Sequence, residues 1–292
     1  MVYSYIAFGL CLKSEIALPE LMDGDGDCDV SIRFGNADLI GEVKATGSFY
    51  RATVDEIQFF SKEYGNIIVR QGKDIIIDSP LNADEAALRF PIIGTALASI
   101  LQHRGLLVFH ASAVVIDGKA AMFLGSPGSG KSTIAAVMHS FGYRVLSDEI
   151  VAVQAEGDMP VVLSGLPQIR LLPESTKYIG FDPATMPKIK SDEDKTAYSA
   201  RKGFTERSVP LKRVYVLKIG RENNLEPMGP QLAFTEMINN YYTVGMLKAS
   251  GAPSHLKHCA KVISTVPVKG LSRADGLSHM TDLIDLVKMD MA

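Results

Sequence analysis

Early in the chain, up to the "SP" at residues 79–80, apolar positions come in short runs separated by turn residues: YSYIAFGL, DVSIRF, FYRATVD, NIIVRQG and DIIIDSP, with Gly35, Gly65 and Gly72 between or after them. β-branched and aromatic residues dominate these runs, which predicts a small β-rich lobe. The rhythm then changes. In NADEAALRFPIIGTALASILQHRG the positions Leu88, Ile92, Leu97, Ile100 and Leu101 recur at helical spacing, with Asn82 placed to cap the helix and Pro91 placed to kink it. Two further apolar runs in GLLVFHASAVVIDGKAAMFLG are joined by Asp117-Gly118, a dipeptide suited to a tight hairpin because glycine accepts positive φ. Beyond them VVLSG and RVYVLKI read as strands, and 232–248, 254–264 and 275–289 read as helices. The pattern contains no internal repeat. It predicts an α/β protein with a smaller β-rich N-terminal lobe over 1–85 and a second domain over 86–292.

Composition narrows the classes. Of 292 residues, 47% are hydrophobic and 22% are charged, the proportions of an ordinary globular protein. A net charge of -3 gives no basic field for nucleic acid, and no apolar run is long enough for a membrane helix, so neither is an expected partner. The opening MVYSYIAFGLCLKSE lacks a basic n-region and reads as a strand. Cys11, Cys28 and Cys259 are odd in number and far apart, which fits free thiols and a cytoplasmic location.

The chemistry concentrates in GSPGSGKSTIAAVMHSFGYRVLSDE. Gly125, Ser126, Pro127, Gly128, Ser129, Gly130, Lys131 and Ser132 match G-x-x-x-x-G-K-[ST], with an apolar strand before and, from Thr133 onward, a helix-compatible run after. Glycines let backbone N–H groups approach phosphates, and the helix N-terminus adds favourable partial charge. Lys131 is then expected at the β- and γ-phosphates and the Ser132 hydroxyl on Mg²⁺, with ATP as donor and GTP open. Asp148 and Glu149 follow Lys131 by only 17 and 18 residues, on the next strand, close enough to serve the same site. Between 188 and 221 ten Lys or Arg stand against four Asp or Glu; KSDEDKTAYSARKGF reads as a loop, either solvated or facing an acidic ligand. Three other patterns are set aside. Asp23, Asp25 and Asp27 imitate half an EF-hand but lack its Gly and Glu; LSGLPQ imitates a transporter signature but contains Pro167; His255, His258 and Cys259 share a helix face without a further ligand.

The run HASAVVIDGKAAMFLGSPGSGKSTIAAVMHSFGYRVLSDEIV resembles the catalytic domain of the HPr serine kinase/phosphorylase family, a P-loop kinase fold of PEP-carboxykinase-like type. The layout of the whole chain is similar to HPr-kinase-like proteins of bacterial peptide-modification clusters, some of which are lasso peptide kinases. The resemblance implies that Asp148 takes the proton from a serine hydroxyl and that Ser132 and Glu149 hold Mg²⁺. It places His110 at the family's histidine, Lys195 of "EDK" as the active-site cation, and Arg170 as a second. The implied acceptor is a serine of a peptide or small protein, with the C-terminal serine of a lasso precursor as the sharpest case, and a homo-oligomer is open. The chain departs from the HPr kinases in having Ser132-Thr133 where they have Ser-Glu, and SGLPQIRLL where they have a Gly-rich segment. Those departures argue for one-way transfer to an acceptor other than HPr. A small-molecule alcohol kinase and a nucleotide-binding regulatory module are the alternatives, and the second does not need the base.

Overall fold

The computed structural model describes residues 1–80, 83–188, 194–242 and 252–292. Asn82, the expected helix cap, lies outside them, as do 243–248 of the helix expected over 232–248. The chain divides into two units, Met1–Val108 with Tyr242–Lys257, and Phe109–Tyr241 with His258–Ala292.

In the first unit the apolar runs become nine strands: β1 (Tyr3–Ala7), β2 (Leu10–Ser14), β3 (Met22–Asp23), β4 (Val30–Phe34), β5 (Ala45–Thr46), β6 (Tyr50–Ala52), β7 (Glu56–Ser61), β8 (Gly65–Arg70) and β9 (Asp74–Asp78). They form one mixed sheet in the order β3-β1-β2-β4-β9-β8-β7-β6-β5. Ile57, Ile67, Ile68, Val69, Ile75, Ile76 and Ile77 are buried, as expected of β-branched side chains on a pleated surface. The helical stretch belongs to this unit. Helix α1 (Glu85–Pro91) is capped by Asp84, which accepts the Ala86 N–H at 3.0 Å; a π-helical turn, Ile92–Ala96, and α2 (Leu97–His103) follow, and α2 packs on β8. The kink expected at Pro91 takes the form of that π turn, because proline cannot donate back into the helical ladder.

Strand β10 (Leu107–Phe109) leads to the second unit, which contains β11 (Ser112–Ile116), β12 (Lys119–Leu124), β13 (Arg144–Asp148), β14 (Val151–Gln154), β15 (Val161–Val162), β16 (Gln168–Leu171), β17 (Thr196–Ser199), β18 (Val209–Gly220), β19 (Asn224–Pro227) and β20 (Val268–Ala274). The hairpin is present: β11 and β12 pair from Ile116↔Lys119, and Asp117 and Gly118 both have positive φ. The main run of the sheet is β13-β11-β12-β18-β20-β19, with β12, β18 and β20 parallel. Central β18 buries Val214, Tyr215, Val216 and Leu217 consecutively, the signature of a strand covered on both faces.

Helix α3 (Lys131–Ser140) packs against β11 and β13. Its Ile134, Ala135, Val137 and Met138 share a core with Val114, Phe123, Leu217, and Leu283, Ile284 and Val287 of the final helix. Each full burial of such a side chain is worth roughly 1.5–3 kcal/mol, enough to hold short helices that would be marginal alone. The remaining helices are α4 (Pro173–Tyr178), α5 (Pro230–Asn239), α6 (Ala252–Thr265) and α7 (Met280–Met291). Two expectations are corrected. Residues 275–279 precede α7 instead of opening it, and β17 occupies four residues of the segment read as a loop.

Candidate active site

Three strand ends meet at one edge of the second sheet. β12 ends at Leu124 and runs into the glycine-rich loop 125–132, β13 ends at Asp148, and β11, antiparallel to both, begins there with Ser112 paired to Asp148 on one side and Phe123 on the other. Ligands of α/β sheets sit at such carboxyl edges.

The loop needs its glycines. Gly125 has φ +144° and a Cβ there would lie 2.6 Å from the Leu217 carbonyl oxygen; Gly130 has φ +104° and its Cβ would lie 3.1 Å from Arg273 Nε. The Gly125 N–H is held by Asn240 Oδ1 at 2.9 Å. Lys131 is buried and its Nζ donates to the carbonyls of Gly125 (2.8 Å) and Ser126 (3.3 Å); burial lowers its pKa against the pull of Glu149 and Asp148. A cavity of about 280 Å³ opens over this loop, lined by Pro127, Gly128, Gly130, Lys131, Ser132 and Thr133; Gly125 and Ser129 are buried and Ser126 is exposed, and none of the three lines it.

The two acids occupy different environments. Asp148 is 3% exposed and does not line the cavity. Its Oδ1 accepts from Ser112 Oγ (2.5 Å) and Ser132 Oγ (3.0 Å), and its Oδ2 accepts the Arg170 backbone N–H (2.9 Å). Burial, helped by the Glu149 charge, pushes its carboxyl up to about 6 against those three hydrogen bonds. Glu149 lines the cavity. Lys195 Nζ lies 3.0 Å from its Oε1 and His110 Nε2 lies 3.2 Å from its Oε2. Burial raises the Glu149 carboxyl, but His110, Lys195 and Arg170 outweigh it and hold it below its ordinary value. His110 is itself lowered, by burial first and then by the neighbouring lysines and Arg170, against Glu149.

Glu149 also has a positive φ of 67°, and the Ile150 N–H bonds to the Asp148 carbonyl at 2.8 Å. That is a three-residue turn with a left-handed centre, a rare and strained form. The turn follows the end of β13 and leaves Glu149 lining the cavity while Asp148 stays in the sheet.

Arg170 arrives on β16 and Lys195 immediately before β17, and these strands pair as a two-stranded ribbon with Arg170 opposite Ala197. Of the candidate site residues, His110, Lys131, Glu149, Arg170 and Lys195 therefore line one cavity, and Asp148 does not. The donor set, the Ser132 hydroxyl with carboxylates behind and beside it, is made of hard oxygens and fits Mg²⁺. Sequence reasoning passed over Ser112 and Arg273. Ser112 is a small polar residue at the start of an apolar strand, and Arg273 is a charged one at the end of VKGLSRA; neither carries a motif. Among the described residues no cluster of three or more His, Cys, Asp or Glu forms a metal site, and no helix is long and apolar enough to cross a membrane.

No protein-family model and no curated protein matches the sequence. Among solved structures the chain is similar to the Hpr(Ser) kinase/phosphatase from Coxiella burnetii, at 9% identity and a TM-score of 0.33, over 63% of this chain and 92% of that one. A likeness this distant assigns no activity.

Proposed function

We propose that the protein is an ATP- and Mg²⁺-dependent kinase that transfers the γ-phosphate to a serine hydroxyl of a peptide or small protein. The observation that carries this reading is the facing of Lys131 and Ser132 with Glu149 across one cavity, with Lys195 and His110 anchoring the carboxylate. Phosphoryl transfer needs positioning, cations and an oriented nucleophile, and little covalent help.

The roles expected from the sequence exchange. Glu149, in the cavity and ionised, is the proton acceptor; Asp148, out of the cavity, orients Ser132 and supplies negative charge behind it. The acceptor oxygen attacks Pγ, the bond from Pγ to the β,γ-bridging oxygen breaks, ADP leaves, and the hydroxyl proton passes to the Glu149 carboxylate. Lys131 reaches the β- and γ-phosphates by exchanging its carbonyl partners for phosphate oxygens. The Ser132 hydroxyl, with the Asp148 carboxylate behind it, would hold Mg²⁺, which when bound would neutralise charge on the β- and γ-phosphates. Lys195 and Arg170 offset the charge on the transferring group.

Peptide acceptors, including lasso precursor peptides ending in serine, are favoured over small alcohols because a longer chain can hold its hydroxyl in line through remote contacts. Incubation with ATP, Mg²⁺ and a panel of HPr, serine peptides, lasso precursors and small alcohols, read by mass, is the test. One phosphate added to a peptide serine is expected. Phosphorylation of HPr or of an alcohol, with every peptide untouched, would defeat the acceptor assignment.

A further inference from the structure

Arg273 stands at the carboxyl end of β20. It is 7% exposed and lines the cavity. Its Nε donates to the Ser129 carbonyl (3.2 Å), and its Nη1 to the carbonyls of Ala274 (3.3 Å) and Gly276 (2.9 Å). All three partners are neutral, and among the described residues no carboxylate pairs with it; Asp275, next along, accepts the N–H of Gly276 within its own turn at 2.9 Å. A buried guanidinium without an anion is costly unless a ligand supplies one.

The sheet order says which part of a ligand that would be. From β12, which carries the phosphate loop, β11 and β13 lie to one side, and β13 brings Asp148 and Glu149. β18 and β20 lie to the other, and β20 brings Arg273 and the turn 275–277 that continues the cavity wall. The reacting phosphate belongs with Glu149, so the opposite flank receives the nucleoside end of the donor.

Resting on the kinase reading, we propose that Arg273 is the nucleoside-side anchor of the donor: its guanidinium takes the α-phosphate and fixes the direction in which the triphosphate crosses the loop. Lys131 and Arg273 then divide the phosphate chain, Lys131 serving the β,γ end and Arg273 the α end. An arginine fork suits this task because it can keep its carbonyl bonds through Nε and Nη1 while Nη2 turns to the ligand.

The test is calorimetric titration of the full chain with Mg·ATP, Mg·ADP and Mg·pyrophosphate. Arg273→Met is expected to weaken both nucleotides roughly 10- to 100-fold while leaving pyrophosphate within about 3-fold. Arg273→Lys, which keeps a donor for the carbonyls and preserves the fold if the methionine variant does not, is expected to show the same selective loss at smaller amplitude. Unchanged nucleotide affinity in Arg273→Lys and Arg273→Met, or pyrophosphate weakened as much as ATP, overturns the assignment. The kinase reading fails separately: a wild-type protein that binds Mg·ATP with this dependence on Arg273 and transfers phosphate to nothing would sink that reading and keep the anchor. Wild-type protein that binds no nucleotide would sink both.

Discussion

Glu149 is held in a backbone conformation that costs a side-chain-bearing residue on the order of 1–3 kcal/mol, and Ser147, whose hydroxyl donates to the Ile150 carbonyl, clamps the turn. Such strain persists only where the surroundings over-determine it, and here it accompanies a carboxylate that lines the cavity over the glycine-rich loop. The consequence is measurable. Glu149→Ala and Glu149→Gly both lose the contacts to Lys195 and His110, but only glycine relaxes the left-handed φ. Glu149→Gly should therefore be more stable than Glu149→Ala by about 1 kcal/mol, the reverse of the usual order, with both inactive. Denaturant unfolding of the pair checks this, and alanine proving the more stable would remove strain from the account. Little of this was legible beforehand. The sequence placed an acidic pair beside a phosphate loop, but which acid is buried depends on Ser112, Ser132 and the Arg170 N–H converging on Asp148 from three separate segments.

At the scale of elements, the loop-helix unit and the hairpin were readable because their signals are local: Gly125, Gly130 and Gly118 take conformations that favour glycine, and the period of the following run is helical. The ribbon of β16 and β17 was not. Thr196–Ser199 is four residues long, sits in a charged context, and offers Tyr198 as its one large apolar side chain. What fixes it is non-local. His139, at the far end of α3, meets the Tyr198 hydroxyl through Nδ1 (3.0 Å) and the Lys202 carbonyl through Nε2 (2.7 Å), while Phe181 packs edge-on against Tyr198. These contacts hold the strand that follows Lys195 and the ribbon that carries Arg170. His139→Phe keeps the aromatic contact and removes both hydrogen bonds, so it should cost about 1–3 kcal/mol of stability and slow transfer, with Mg·ATP affinity little changed because Lys131 and Ser132 lie at the other end of α3. Unfolding and single-turnover assays on the same variant check both halves; a stability loss with transfer at the wild-type rate would show that the ribbon does not position the cations.

Across the whole molecule, the sequence announced strands first and an α/β arrangement later, and both are seen; strand order was not announced. It is the order β13-β11-β12-β18-β20 that puts the acids on one flank of the glycine-rich loop and Arg273 on the other, the two ends that the proposals above assign to the reacting phosphate and to the nucleoside. The central claim is that this cavity transfers phosphate with Glu149 as proton acceptor and Asp148 as the orienting acid. Single-turnover transfer from ATP to a serine peptide, measured beside Mg·ATP affinity for Glu149→Gln and Asp148→Asn, tests it most directly. Glu149→Gln should bind Mg·ATP within about 3-fold of wild type and lose roughly 10²- to 10⁴-fold in transfer, the worth of a general base, whereas Asp148→Asn should lose Mg·ATP affinity as well. Transfer at the wild-type rate by Glu149→Gln, with Asp148→Asn binding normally and failing to transfer, would contradict the account and return the proton to Asp148.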